Sequence, residues 1–315
     1  MNCAVLDDYQ GVALSLADWS AVSARSYREP FTSHDDLVEA IGDCEIVVIM
    51  RERTPFPASL FARLPRLRLL ITSGLRNASI DLEAARAHGV TVCGTASRST
   101  PPTELTWALI LGLARQIGPE SAAFRANGPW QQTIGTDLHG GTLGLVGLGK
   151  IGTQVARVAQ AFGMDVTAWS QNLTAGRAEA AGVRLAPSKE ALLESAGFVS
   201  VHVVLSERTR GLIGAPELAR MRPDAYLVNT SRAAIVDQDA LVAALREQRI
   251  AGAGLDVFDI EPLPHDHAFR TLPNVLATPH LGYVTRGNYA TYFGEAVEDI
   301  HAFLAGSPVR VLGRT

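Results

Sequence analysis

Short apolar runs recur along this chain, and each is followed by a stretch in which apolar positions return every three or four residues. In the first third, residues 3–6, 46–50, 69–72 and 91–93 read as strands buried on both faces. Between them, residues 35–41, 57–64 and 82–87 carry the helical period. A strand gains a parallel neighbour only through a crossover, and the crossover is usually a helix. The alternation therefore predicts a parallel sheet with helices on both faces. A long helical segment from Pro102 to about Phe124 comes next, and Asn127-Gly128-Pro129 ends it.

After His139-Gly140-Gly141 the alternation resumes. Residues 143–146, 165–169, 198–203, 226–229, 252–257 and 275–277 read as strands. Residues 237–248 read as a helix with Asp237 near its start, and a last helix runs from about Gly287 to Leu304. The predicted fold class is α/β, with two doubly wound parallel-sheet domains. Ligands in such sheets sit beyond the carboxyl ends of the strands, so a cleft between the two halves is the expected active site.

One segment of the second half carries specific chemistry. Gly147-Leu148-Gly149-Lys150-Ile151-Gly152 follows an apolar run and opens a helix, and a second strand follows Gly163. In that setting G-x-G-x-x-G is a dinucleotide-binding fingerprint. Gly147 allows a sharp turn, Gly149 lets backbone approach a pyrophosphate, and Gly152 lets helix and strand pack closely. The helix start then offers N–H groups to the phosphates.

Composition narrows the remaining classes. The chain has 315 residues, enough for about two domains, and 47% are hydrophobic, enough for substantial cores. A net charge of −4 gives no basic footprint for nucleic acid. No apolar run reaches the roughly 18 residues that a membrane span needs, and the N-terminus lacks the pattern of a secretory signal. The three cysteines, Cys3, Cys44 and Cys93, are widely spaced and form no C-x-x-C, against both a disulfide framework and a metal cage. A cytoplasmic protein without a metal is expected.

A nicotinamide enzyme acting on a carbonyl needs a proton donor and a cation for substrate charge. Histidine suits the first task and the planar fork of arginine the second. Of eight histidines, His280 stands out because Thr278-Pro279-His280 directly follows an apolar strand. Arg232 has a similar address after residues 226–229, and Glu261 lies just past residues 252–257. The competing readings are a packed imidazole, a surface ion pair and a turn before Pro262.

The segments TLGLVGLGKIGTQVARVAQAFGMDVTAW, SVHVVLSERTRGLIG, MRPDAYLVNTSRAAIVDQDALVAAL, AGAGLDVFDIEPLP and NVLATPHLGY, in this order, resemble the D-isomer-specific 2-hydroxyacid dehydrogenases. Within the family the chain resembles the phosphoglycerate dehydrogenase-like branch without its regulatory domain. The resemblance implies a flavodoxin-like substrate domain of residues 1–97 plus 287–315 and an inserted Rossmann NAD(P)-binding domain of residues 98–286. It implies hydride transfer between NAD(P)H and a small 2-oxoacid, running as a reductase in cells. Arg232 would bind the substrate carboxylate, His280 would exchange a proton with the C2 oxygen, and Glu261 would hold the other ring nitrogen. Thr230 and Asp256 match positions near the nicotinamide end of the cofactor, and Thr106 and Gly282 match other cofactor-binding positions. Gly147, Gly149, Lys150, Ile151 and Gly152 match those around its pyrophosphate. A homodimer formed through the cofactor domains, with the helical segment from Pro102 near the interface, is implied as well.

Departures from the family pattern bear on substrate. The loop usually written G-x-G-x-D-N-x-D reads Gly74-Leu75-Arg76-Asn77-Ala78-Ser79-Ile80-Asp81, with Arg76 in place of the second glycine. Its backbone N–H groups could hold a carboxylate. Arg51-Glu52-Arg53-Thr54 resembles a phosphoglycerate dehydrogenase stretch. Arg51, Arg53 and Arg76 point to a doubly charged or extended acid, or else to pairing with Glu52. Ala233 and Val204 replace a glycine and a proline without removing a reacting group, and Tyr283 stands where a small residue is common.

The cofactor choice turns on one position. A carboxylate about 20 residues past the glycines normally binds the ribose 2′-hydroxyl and selects NAD. Here that place holds Ser170-Gln171-Asn172, with no acid to repel a 2′-phosphate. The reading therefore leans to NADP or dual use. No arginine follows at once, and Arg177, the nearest downstream, reads as too distant along the chain. The alternative function is a nucleotide-sensing binding protein like the C-terminal-binding-protein corepressors, which share the scaffold. Formate or phosphite oxidation ranks lower, since the longer flanks of that branch are missing.

Overall fold

The computed structural model describes residues 1–313 and divides into two compact units, Met1–Arg98 with the chain from Val284 onward, and Ser99–Tyr283. The first unit holds β1 (Asn2–Val5), β2 (Ser23–Ser26), β3 (Ile46–Ile49), β4 (Leu69–Thr72) and β5 (Thr91–Gly94). They form one parallel sheet in the order β2-β1-β3-β4-β5. This is the flavodoxin-like order, with its switch between β1 and β3. Every residue of β3 and β4 is buried, as expected of strands covered on both faces. The strand β2, Ser-Ala-Arg-Ser, was not legible in the sequence. It lies at the sheet edge with alternate residues exposed, so it needs no apolar run.

The second unit holds β6 (Thr142–Val146), β7 (Asp165–Trp169), β8 (Arg184–Leu185), β9 (Phe198–Val201), β10 (Tyr226–Asn229), β11 (Gly252–Leu255) and β12 (Val275–Ala277). All seven strands are parallel, in the order β12-β11-β10-β9-β6-β7-β8. The chain starts in the middle, winds outward to β8, returns to β9 and winds outward the other way. That is the Rossmann winding, and its switch point lies between β6 and β9. Two apolar clusters cover the two faces. One is built on Leu192, Val199, Leu227 and Leu241, the other on Ile110, Leu143, Val155 and Ala168.

The helical segment from Pro102 to Phe124 is two helices, Thr100–Ala114 and Ile117–Arg125. Gln116 between them is left-handed, with φ at 52°. Pro119 explains the break, because its ring would clash with the carbonyl of Arg115 and it has no N–H to offer that carbonyl. Among the described residues no helix is long and apolar enough to cross a membrane.

Candidate active site

The turn after β6 behaves as its glycines require. Gly147 has φ at 108°, and a Cβ there would lie 2.7 Å from the His202 backbone at the end of β9. Its N–H donates to the Trp169 carbonyl at 2.8 Å, joining the turn to the end of β7. A Cβ on Gly152 would lie 2.2 Å from the Gly147 carbonyl, so only glycine lets the helix sit this close. Gly149 differs: nothing stands within 4 Å of its would-be Cβ. It caps the twelve-residue helix Lys150–Ala161 with no side-chain hydrogen bond. A bare helix start facing open space suits a pyrophosphate. Lys150 and Ile151 form the first helical positions, Lys150 exposed and Ile151 half-buried.

Two substitutions separate these roles. Gly149→Ala should leave the melting temperature within about 2 °C of the parent, because surface changes cost little. It should weaken nucleotide binding about tenfold or more by standing in the phosphate's path. Gly152→Ala should lower the melting temperature by several degrees, about 1–3 kcal/mol of overpacking. Differential scanning fluorimetry with and without nucleotide checks both, and a Gly149→Ala variant with undiminished binding would clear that glycine of any phosphate role.

At the end of β7 the Leu173 N–H donates to the Ser170 carbonyl at 3.0 Å and closes a turn. Ser170 is half-buried, and Gln171 and Asn172 are exposed at the turn. The Thr174 side chain caps the helix Ala175–Ala180. Arg177 on that helix reaches back, with Nη2 3.5 Å from the Leu148 carbonyl. Chain distance had suggested otherwise.

The reacting-group candidates follow three adjacent strands. Arg232 comes after β10, Glu261 after β11 and His280 after β12, all at the carboxyl edge of one parallel sheet. Neighbouring strands are about 4.8 Å apart, so residues with such addresses can work together. His280 has φ at 54° and its N–H donates to the Thr278 carbonyl at 2.9 Å. This tight turn brings its Nδ1 to 2.7 Å from Glu261 Oε2. The other carboxylate oxygen of Glu261 accepts the Phe258 N–H at 3.0 Å, which holds the acid in place. Tyr283 is buried and stands edge-on to the imidazole, ring centres 5.5 Å apart.

Asp256 organises the same turn. Its Oδ1 accepts the Thr278 hydroxyl at 2.6 Å and the Leu281 N–H at 2.7 Å, and its Oδ2 accepts the Gly282 N–H at 2.8 Å. Burial pushes the Asp256 carboxyl up, and the hydrogen bond from Thr278 pulls against it. A Cβ on Gly282 would lie 3.1 Å from Oδ2, so glycine lets the turn close on the acid.

Arg232 is half-buried, and its Nη1 donates to the Ser231 carbonyl at 2.8 Å. Asn229 shapes this loop. Its Oδ1 accepts the Ser231 N–H at 3.0 Å and its Nδ2 donates to the Arg232 carbonyl at 3.1 Å. The Ser231 hydroxyl donates to the Val203 carbonyl at 2.7 Å. An Asn at a strand end is the sequence signal for such a turn. Thr230 and the fully buried Thr106 share a hydrogen bond of 2.8 Å, and Thr106 donates to the Pro102 carbonyl.

Within the first unit, Gly74 follows β4 with φ at 97°, and its N–H donates to the Thr95 hydroxyl at 3.2 Å. Leu75 and Arg76 are exposed at this loop. Asn77 is buried and donates to the Arg51 carbonyl at 2.6 Å and the Thr72 hydroxyl at 2.9 Å, which ties the β3 and β4 loops together. Arg51 Nη1 lies 2.9 Å from where a Gly74 Cβ would stand, and its Nε is 3.7 Å from Glu52 Oε2. Arg53 instead lies over the Tyr9 ring, 5.4 Å from its centre.

The family model for the D-isomer specific 2-hydroxyacid dehydrogenase, NAD binding domain, matches residues 107–282. The chain belongs to the D-isomer specific 2-hydroxyacid dehydrogenases. Within this family it is 36% identical over 277 residues to a glyoxylate reductase of Korarchaeum cryptofilum, covering 86% of this chain and 82% of that one. It is 36% identical over 265 residues to a D-3-phosphoglycerate dehydrogenase of Bacillus subtilis, covering 83% of this chain and 50% of that one. The chain thus spans about half the length of that relative. A solved phosphoglycerate oxidoreductase of Vibrio cholerae is 34% identical, with a TM-score of 0.92, over 98% of this chain and 100% of that one.

The matched NAD-binding region contains the whole glycine turn, which supports a nicotinamide cofactor. The residues that shape the site without reacting were the ones hidden from sequence reading. Asn229 and Ser231 lie beside Arg232, yet their bonds run to backbone that only the loop path brings near.

Proposed function

We propose that this dehydrogenase reduces a small 2-oxoacid to its 2-hydroxyacid, with the carboxylate–imidazole pair of Glu261 and His280 as the proton-handling group. The observation that carries the reading is the 2.7 Å contact between Glu261 Oε2 and His280 Nδ1 at the ends of neighbouring strands. A bound reduced nicotinamide supplies the hydride that C2 receives. His280 Nε2 gives the proton that turns the C2 oxygen into a hydroxyl, and in the reverse direction takes it back. Glu261 fixes the ring through Nδ1, so that Nε2 carries the exchange. Arg232 holds the substrate carboxylate and polarises the C2 oxygen, a task its two-pronged charge fits. Within the first unit, the loop of Gly74, Leu75 and Arg76, with Arg51 beside it, offers backbone N–H groups and positive charge that suit a carboxylate.

Gly147, Gly149, Lys150, Ile151 and Gly152 would hold the pyrophosphate, and Ser170, Gln171 and Asn172 the adenosine ribose. Thr230 and Asp256 would line the nicotinamide end, with Thr106 bonded to Thr230 and Gly282 bonded to Asp256 beside them. The uncharged ribose position supports NADP(H) or dual use. A spectrophotometric panel of 2-oxoacids with NADH and NADPH tests the reading. Turnover of at least one acid is expected; nucleotide binding without turnover of any would overturn it. An NADH preference above about tenfold, or about 1.4 kcal/mol, would overturn the cofactor lean.

The working form is a homodimer joined through the second unit. Phe124, Trp130 and Ile134 follow the break at Gln116 and are largely exposed, Ile134 at 97%. A cluster of exposed large apolar side chains marks an association surface. Light scattering should give twice the chain mass for the parent, and Trp130→Ser with Ile134→Asp should shift it to the monomer. A monomeric parent would end this assignment.

A further inference from the structure

We propose that Arg177 is the residue through which this chain recognises the 2′-phosphate of NADP(H). The proposal deepens the cofactor reading above and rests on that same ribose position. Four observations converge on it.

The corner where a 2′-phosphate would lie is walled by the glycine turn and the end of β7. These are joined by the Gly147 N–H to Trp169 carbonyl bond of 2.8 Å. The β7 end supplies only a hydroxyl and two amides, Ser170, Gln171 and Asn172, so nothing there repels a dianion.

Local sequence then turns the chain back on itself. The turn closed by the Leu173 N–H leads to Thr174, whose hydroxyl accepts the Arg177 N–H at 3.4 Å. The side chain launched from this capped turn sends its guanidinium to the glycine turn, with Nη2 at 3.5 Å from the Leu148 carbonyl. Leu148 is the residue between Gly147 and Gly149.

The guanidinium has donors to spare. It carries five N–H donors, and a neutral carbonyl at 3.5 Å engages one of them weakly. Among the described residues no carboxylate pairs with it. Some exposed arginines of the chain do pair with an acid, as Arg63 does with Asp35 and Arg220 with Glu194. A phosphate bearing two charges is the partner that a fork of this geometry matches, and it would bind by paired, charge-assisted hydrogen bonds. NADH, which has a hydroxyl at the same carbon, would leave the fork in water and use Ser170 or the amides instead. Arg177 is thus a specificity residue and takes no part in hydride or proton transfer.

The test is direct titration of the full-length protein with NADPH and with NADH, followed by nucleotide fluorescence, for the parent, Arg177→Gln and Arg177→Lys. Arg177→Gln should weaken NADPH about 10- to 100-fold, the range for a lost hydrogen bond to a charged group, and NADH less than about threefold. Arg177→Lys should recover part of the NADPH affinity. The parent's NADPH affinity should also fall more steeply with salt than that of Arg177→Gln. Equal losses for both nucleotides would mean that the guanidinium only braces the Leu148 carbonyl, and no loss for either would mean that it is a solvated surface group. Both outcomes overturn the proposal. The parent's own preference reports separately on the cofactor lean. A parent that favours NADH, in which Arg177→Gln still lowers NADPH alone, sinks the lean and keeps the assignment of Arg177.

Discussion

His280→Ala should lower kcat by about 10²- to 10⁴-fold, the contribution usual for a positioned acid or base, while nucleotide affinity stays within about twofold. The imidazole is held by contacts made for orientation: the carboxylate of Glu261 at 2.7 Å and the edge of Tyr283. Its turn is stabilised separately by Asp256, which bonds the Thr278 hydroxyl and the N–H groups of Leu281 and Gly282. Removing the ring therefore leaves the turn intact, and the glycine turn lies after β6 while His280 lies after β12, at the far edge of the sheet. Stopped-flow reduction together with nucleotide titration measures both quantities. An unchanged kcat would remove His280 from the proton step, and a matching loss of nucleotide affinity would make it a structural residue.

Arg232→Lys should act mainly on the substrate. The guanidinium offers two parallel donors to a carboxylate and the ammonium offers a point charge, so about 1.5–3 kcal/mol of charge-assisted bonding is at stake. That corresponds to a kcat/KM lower by about 10- to 100-fold, most of it through KM, with a smaller drop in kcat from weaker polarisation of the C2 oxygen. The loop itself should survive, since Asn229 and Ser231 shape it through backbone bonds that do not involve the guanidinium. Initial rates at low 2-oxoacid decide the matter: a variant indistinguishable from the parent there would show that the carboxylate is bound elsewhere.

Reading the chain alone succeeds where burial leaves a mark on composition. The strands at Leu69–Thr72 and Tyr226–Asn229 begin and end where the sequence puts them, and every residue of both is buried. A parallel strand covered on both faces has to be apolar throughout or nearly so. The same logic fails at β2 and β8, strands with no apolar run and no buried residue. The single helix expected from Pro102 to Phe124 fails for another reason. Its apolar period runs on past Gln116, and the backbone restriction at Pro119 outweighs the pattern.

From composition and periodicity alone came the buried strands and their alternation with helices, the doubly wound class, the glycine turn and the addresses of Arg232, Glu261 and His280 just past their strands. All of these follow from local rules, because an apolar run, a glycine or a strand end is a property of consecutive residues. Partnership between side chains is of a different kind. The Glu261–His280 pair, the Thr106–Thr230 bond, the commitment of both Asp256 oxygens to one turn and the return of Arg177 to the glycine turn all arose from folding. Strand order and loop path set the distance between such groups, and parallel packing of β10, β11 and β12 brings together residues that stand far apart along the chain.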